Sequence, residues 1–256
     1  MKKFLEKLVS FFKGVLCIKT EQKQKESYTL VYEDKCDRPL NTNVWETVKK
    51  GPSSWNKYTN GNLPIIHVDK DEIYYSFPCV FVDGEPHCTA IKTKDFYGDG
   101  KIEVTARFHG GKGTWPAIWM SVKSGGKNYE DYFEVDLLEY YETRPTFDTT
   151  YHFPNSMRKE ESFKNVKTSF IPTNWNKFTC EWDANEIKVK VNNTTALIIE
   201  NDGDPDYYPI KEAQRFFRLI LSMQIGSKWL SPFDPNEKDL GMDVKSVKIW
   251  KKVPQD

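Results

Sequence analysis

The chain beyond residue 27 consists of short runs in which apolar and polar residues alternate or β-branched residues cluster. Gly, Pro, Asn and Asp separate these runs, as is typical of turns between strands. The pattern predicts an all-β sandwich of two antiparallel sheets rather than an α/β fold. The clearest predicted strands are residues 101–108, 132–141, 177–182, 186–191, 216–224 and 244–250.

Residues 2–16 do not show this strand pattern. Their apolar side chains recur at helical spacing between lysines, which predicts a short amphipathic helix. Charged residues interrupt the apolar run, so it is a poor export signal, and it is too short to span a bilayer. It could lie on a membrane surface, contact a partner or act as an export signal. Residues 17–27 are rich in Lys, Gln and Glu and are predicted to be a linker, which gives domain boundaries of 1–27 and 28–256.

The pair Asp83-Gly84 predicts a two-residue hairpin turn. Counting outward from this turn pairs Cys79 with Cys88 at a non-hydrogen-bonded position, where side chains on neighbouring strands are closest. A cross-strand disulfide and two free thiols both fit this register.

Charge and aromatic content limit the classes of binding partner that the chain is expected to have. Lys+Arg and Asp+Glu both number 37, so the formal net charge is zero and nucleic acid is not expected as a partner. The chain has 8 Trp, 13 Tyr and 16 Phe, of which most are expected in the core. The remainder can stack on the apolar faces of sugar rings.

The candidate chemistry lies in residues 133–139, where Glu134, Asp136 and Glu139 are set among apolar residues. On a regular strand Glu139 would point to the opposite face from the other two acids. A one-residue β-bulge would return it to their face. When the extra bulged residue is left out of the count, Glu134 and Glu139 are four strand steps apart, about 13 Å between Cα atoms. If their side chains lean towards each other, the carboxyl groups can approach to the roughly 5–5.5 Å separation of retaining glycosidases. A solvated acidic face and a calcium site are the alternatives.

The surrounding sequence resembles glycoside hydrolase family 16. The carriers of the resemblance are residues 113–120 (GTWPAIWM) followed by Glu-x-Asp-x-x-Glu, the pattern of the laminarinase-like, bulged-strand branch. The similarity extends over roughly residues 28–252. It implies a β-jelly-roll sandwich with a concave substrate cleft. It also implies that Glu134 is the nucleophile, Glu139 the general acid/base and Asp136 the assisting residue.

The same resemblance implies four substrate-binding residues. Trp115 and Trp119 match positions that line the cleft, although a core position is the alternative for Trp119. His152 matches a histidine near the acid/base, with a structural role as the alternative. Trp229 matches a loop tryptophan that stacks on sugar.

The resemblance also shows departures. Many members bind calcium through acids where this chain has Lys35 and Lys245, so no metal is expected, and no cofactor. The first hypothesis is an endo-acting hydrolase of β-1,3- or mixed β-1,3/1,4-glucan. The second is a hydrolase of galactans such as agar, porphyran or carrageenan, with Arg144 and Arg158 as candidate contacts.

A third hypothesis is a non-catalytic glucan-binding module, in which the acids are typically lost. The expected partner is a polysaccharide substrate, and the expected state is a monomer. The substrate class favours an extracellular or cell-surface location, although the leader is not a clean signal peptide.

Overall fold

The computed structural model describes residues 28–69, 71–122, 132–154 and 163–253. The amphipathic helix predicted over residues 2–16 lies outside these ranges. In the described ranges the regular structure consists of sixteen strands and two short 3₁₀ turns, Ser54–Asn56 and Glu212–Arg215. None of the helical elements in these ranges has the length and hydrophobicity needed to cross a bilayer.

The strands form two antiparallel sheets, as the sequence predicts. The nine-stranded sheet has the order β14 (Thr194–Glu200), β13 (Glu186–Val191), β12 (Asn176–Trp182), β7 (Gly100–His109), β16 (Gly241–Lys252), β4 (Glu72–Val82) and β3 (Ile65–Asp69), with β1 (Tyr28–Asp34) beside β16 and β5 (Glu85–Cys88) beside β4. The seven-stranded sheet has the order β11 (Phe163–Ser169), β10 (Thr146–His152), β9 (Glu134–Glu139), β8 (Ala117–Val122), β15 (Phe217–Ser222), β6 (Ala90–Thr93) and β2 (Trp45–Thr47).

The alternating pattern of β7 shows how the sequence builds the sandwich. Ile102, Val104, Ala106 and Phe108 are fully buried, whereas the residues between them are partly exposed on the outer face. Side chains of a strand alternate between its two faces, so these four residues share the inner face. Their burial removes apolar surface from water, which is the main stabilising contribution to such a core.

The central strands of the seven-stranded sheet differ from β7, because β8, β9, β10 and β15 are buried on both faces along most of their length. The inner residues of β8 and β15 join the core between the sheets. On the outer face, Ala117, Trp119 and Ile220 form a second buried cluster against Trp55. The middle of the seven-stranded sheet is therefore covered by aromatic side chains, and the candidate active site lies there.

The predicted hairpin register is confirmed. Cys79 pairs with Cys88, and Val82 pairs with Glu85 beside the turn. Both cysteines are buried free thiols with their Sγ atoms 2.9 Å apart. Burial raises the pKa of the Cys88 thiol, and contact with Cys79 raises it further.

We expect an oxidant such as copper phenanthroline to join Cys79 to Cys88, because the cross-strand register already holds the two sulfur atoms side by side. Thiol titration of the denatured protein should show a loss of two thiols, and peptide mapping should identify the pair. Cys180→Ala is the matched control, since Cys180 is a buried thiol on β12 and its removal should leave the pairing intact. Oxidation that joins other cysteines instead would contradict the prediction.

Candidate active site

The bulge predicted in β9 is confirmed by the pairing of this strand with both neighbours. Asp136 lies opposite Thr150 and Glu139 lies opposite Asp148, so three steps along β9 match two along β10. The pairing with β8 shifts at the same point. Both intervening leucines are fully buried in the inter-sheet core. The extra residue thus lets two leucines enter the core while both acids stay on the cleft face.

Glu139 is held by hydrogen-bond donors on both carboxylate oxygens. Trp115 donates its indole N–H to Oε1 at 2.9 Å, and the Thr150 hydroxyl donates to Oε2 at 3.3 Å. Burial raises the pKa of Glu139, while hydrogen bonds from Tyr141 and Trp115 oppose the increase. A raised pKa favours the protonated form of a carboxyl, which is the form that a general acid requires.

Glu134 lies opposite His152 on β10. Burial, followed by the charge of Asp136, raises the pKa of Glu134 to about 8. Two groups oppose this increase by favouring the charged form. The Tyr132 hydroxyl donates to Oε2 of Glu134, and His152 Nε2 lies 3.7 Å from Oε1.

Asp136 is the most deeply buried of the three acids, with 3% of its surface exposed. Its Oδ2 lies 3.1 Å from His152 Nε2. Burial and the charge of Glu139 raise the pKa of Asp136. Three buried carboxyls this close cannot all ionise easily, so the cluster retains protons near neutral pH.

Among the described residues, Glu134, Asp136 and His152 bring one ligand atom each within 4.8 Å of one another. Carboxylate and imidazole ligands suit a divalent transition metal. The sequence predicts no metal, and this stays a prediction.

The predicted tryptophans lie around these acids. Trp119 faces the cleft rather than the inter-sheet core, since it packs edge-on against Trp55 with ring centroids 5.0 Å apart. Trp115 meets Trp229 edge-on at 5.1 Å and stacks on Tyr141 at 6.1 Å. Trp229 is 57% exposed, so much of its ring remains free for a ligand.

The loop that carries Trp229 is tied to the turn after β9. Glu142 Oε1 accepts the backbone N–H of Ser231 at 2.7 Å and that of Gly113 at 3.3 Å. Gly113 has φ +72°, and a Cβ there would lie 2.7 Å from the Ser231 carbonyl oxygen. Only glycine therefore permits this close approach of the two loops.

Four residues of the site were missed in the sequence: Trp55, Tyr132, Tyr141 and Gln224. Tyr132 had a usable signal, because it lies two residues before Glu134 in an extended segment and so shares its face. Gln224 had another signal, since Ser222 and Gln224 are polar residues two apart in the otherwise apolar run of residues 219–225. Trp55 lies in the isolated 3₁₀ turn Ser54–Asn56, which is too short for sequence spacing to indicate the face that it covers.

Comparison with known proteins decides the family. Residues 48–238 match the sequence profile described as glycosyl hydrolases family 16. The chain belongs to this family. The family predicted from the sequence is confirmed.

Individual relatives of this family 16 chain are distant. It is 24% identical over 238 residues to a keratan-sulfate endo-1,4-beta-galactosidase of Sphingobacterium multivorum, with 88% of this chain covered, and 25% identical over 168 residues to a beta-glucanase of Rhodothermus marinus, with 60% covered. The chain spans 55% and 58% of the lengths of these two relatives.

The solved laminarinase from Rhodothermus marinus matches the fold. It superposes with a TM-score of 0.74 at 20% identity, covering 90% of this chain and 100% of that one. The predicted sandwich fold of the family is thereby confirmed.

The raised pKa of Glu134 predicts that this residue destabilises the fold as pH rises. Its pKa is ordinarily 4.5 and is about 8 in the folded chain, so folding favours its protonated form, and stability is lost as pH rises from about 4.5 to about 8. Glu134→Gln removes this loss. We expect the variant to gain roughly 1–3 kcal/mol at pH 8 and less at pH 5, measured by urea unfolding.

Glu142→Gln is the matched control. The side chain and backbone of Ser231, together with the Gly113 N–H, lower the pKa of Glu142, so its charged form stabilises the fold above its ordinary pKa. Glu142→Gln should therefore lower the free energy of unfolding at pH 8. Equal stability of Glu134→Gln and the wild type at pH 8 would contradict the prediction.

Proposed function

We propose that this chain is an endo-acting, retaining hydrolase that cuts β-1,3- or mixed β-1,3/1,4-glucan by double displacement. The observation that carries the proposal is the bulged strand β9, which keeps Glu134, Asp136 and Glu139 on one face beneath tryptophan side chains. Two carboxyl groups on the same side of a cleft are what double displacement needs. Relatives named beta-glucanase and glucan endo-1,3-beta-glucosidase support the substrate class.

Glu139 acts as the acid and then as the base. Its raised pKa favours the protonated form, and this form donates its proton to the glycosidic oxygen as the bond to the departing sugar breaks. The donors Trp115 and Thr150 then stabilise the carboxylate that remains. In the second step this carboxylate removes a proton from water, which attacks the glycosyl-enzyme and releases the product.

Glu134 is the nucleophile and must be charged when it attacks the anomeric carbon. The Tyr132 hydroxyl and His152 both favour this charge. Burial raises the pKa of Asp136 and so favours its protonated form, which would relieve the repulsion that a charged Asp136 exerts on Glu134. We therefore assign Asp136 the role of assisting the nucleophile. We assign His152 the role of offsetting negative charge on Glu134 and Asp136.

Trp229 and Trp115 provide the stacking surface. Aromatic rings bury a large apolar area and present a flat face, which suits the apolar face of a pyranose ring. Trp229 is exposed and lies edge-on to Trp115, whose indole N–H is bonded to Glu139. A sugar stacked on Trp229 thus lies one residue away from the proton donor.

A second candidate is a β-galactosidic polymer, and the Sphingobacterium relative favours it. That galactosidase matches 88% of this chain, against 60% for the Rhodothermus glucanase. Arg144, a candidate galactan contact, lies 5.3 Å over the ring of Tyr141, which itself stacks on Trp115. Arg158 lies outside the described residues.

Measuring new reducing ends after incubation with laminarin, lichenan, agarose, porphyran, carrageenan and keratan sulfate tests the proposal. We expect cleavage of laminarin or lichenan, and cleavage of galactans alone would select the second candidate. Glu134→Gln should lower kcat at least 1000-fold because the nucleophile is lost, about 4 kcal/mol in the barrier.

The β anomer should appear first by proton NMR, as retention requires. Cleavage of none of these polymers would contradict the proposed function, and near-normal activity of Glu134→Gln would contradict the assignment of the nucleophile.

Tyr132 gives a test of the protonation scheme. Tyr132→Phe removes the hydrogen bond that lowers the pKa of Glu134, so this pKa rises further. The acidic limb of the pH profile of kcat/KM should then shift upward by about 0.5–1 unit, as expected for the loss of a bond worth ~1 kcal/mol.

Tyr140→Phe is the control, because Tyr140 packs in the inter-sheet core against Phe108 and should leave the profile in place. A downward shift, or an equal shift in both variants, would contradict the scheme.

A further inference from the structure

Gln224 is a buried polar residue beside the catalytic acids whose role the mechanism above does not use. It follows β15 and is 3% exposed. It lines the same cleft as Glu139, Trp55 and Trp119. Its backbone carbonyl accepts the N–H of Trp115 at 2.7 Å, so the backbone at Gln224 is fixed relative to the tryptophan that binds Glu139.

Hydrogen bonds orient the Gln224 amide. Ser222 Oγ accepts the indole N–H of Trp119 at 3.0 Å and the Nε2–H of Gln224 at 2.7 Å. An indole nitrogen can only donate, so one lone pair of the serine oxygen accepts from Trp119, and its second lone pair accepts from the Gln224 amide nitrogen. In this arrangement the carbonyl oxygen Oε1 is the end of the Gln224 amide that does not contact Ser222.

This carbonyl oxygen has no hydrogen-bond partner among the described residues. Oε1 of Gln224 is shielded from solvent and unpaired within the described part of the chain. Buried polar side chains in folded proteins nearly always have a partner, because an unmade hydrogen bond costs free energy. An apolar residue of similar length would fill the same space without that cost. An unpaired acceptor in a ligand cleft therefore indicates a donor that arrives with the ligand.

We propose that Gln224 determines substrate specificity, by accepting a hydrogen bond at Oε1 from a free hydroxyl of the sugar that lies over the β15 side of the catalytic carboxylates. The inference rests on the proposed function and narrows its substrate class. A sulfate ester at the same position has no proton to donate, and it would bring a negative charge next to Glu134, Asp136 and Glu139. The sugar bound here is therefore unsulfated at that hydroxyl.

Gln224→Met tests this role, because methionine keeps the length of the side chain and removes the acceptor. We expect about a tenfold loss of kcat/KM on the oligosaccharide that the wild type cuts best. In a series of monodeoxy analogues of that oligosaccharide, the one that lacks the recognised hydroxyl should be cut equally by variant and wild type. Sulfation of the same hydroxyl should stop cleavage by the wild type.

Gln214→Met is the matched control, since Gln214 lies in the 3₁₀ turn before β15 and does not line the cleft. It should leave kcat/KM unchanged on every substrate. Gln224→Met activity within twofold of wild type, or an equal loss on all analogues, would overturn the inference while leaving the proposed function intact. Failure of the wild type to cut any glycan would instead overturn the proposed function, and this inference with it.

Discussion

The site depends on keeping three carboxyl groups buried side by side on one strand. Burial penalises the charged form of each group and raises the pKa of Glu134, Asp136 and Glu139, and the charges of neighbouring carboxylates raise the pKa of Glu134 and Asp136 further. The bulge makes this arrangement compatible with the fold, because two leucines of the same strand enter the core between Asp136 and Glu139. The stability of the core thus offsets the cost of burying these acids, whose pKa values differ from those of exposed carboxyls. Such a loss of stability in exchange for altered side-chain chemistry is typical of functional sites.

Much of the fold follows from the sequence because its determinants are local. The alternation in β7 defines its inner face, and the turn at Asp83-Gly84 defines the register of Cys79 with Cys88. The bulge could also be predicted, since only an extra residue lets Glu139 share a face with Glu134. Each of these features is determined by side chains within a few residues of one another.

The parts of the site that escaped prediction are brought together from separate strands and loops. Trp55 reaches the cleft from a short 3₁₀ turn, and its contact with Trp119 joins residues 64 positions apart in the chain. The hydrogen bond from Trp119 to Ser222 spans 103 positions. No local pattern encodes such contacts, because they depend on which strands become neighbours in the sheet. The ambiguity of Trp119 between core and cleft had the same origin, since β8 is buried on both faces.

Glu142 has a consequence for how a polymer would be positioned. It binds the loops of Gly113 and Ser231 with one carboxylate oxygen, and these loops flank the tryptophans that adjoin Glu139. For a glycan stacked on Trp229, these contacts would fix the distance between the stacked sugar ring and the glycosidic oxygen that receives the proton. On the proposed function, Glu142 would set this distance without taking part in the reaction. Lengthening or loosening either loop would then change the position along the polymer at which it is cut, with Glu134, Asp136 and Glu139 unchanged.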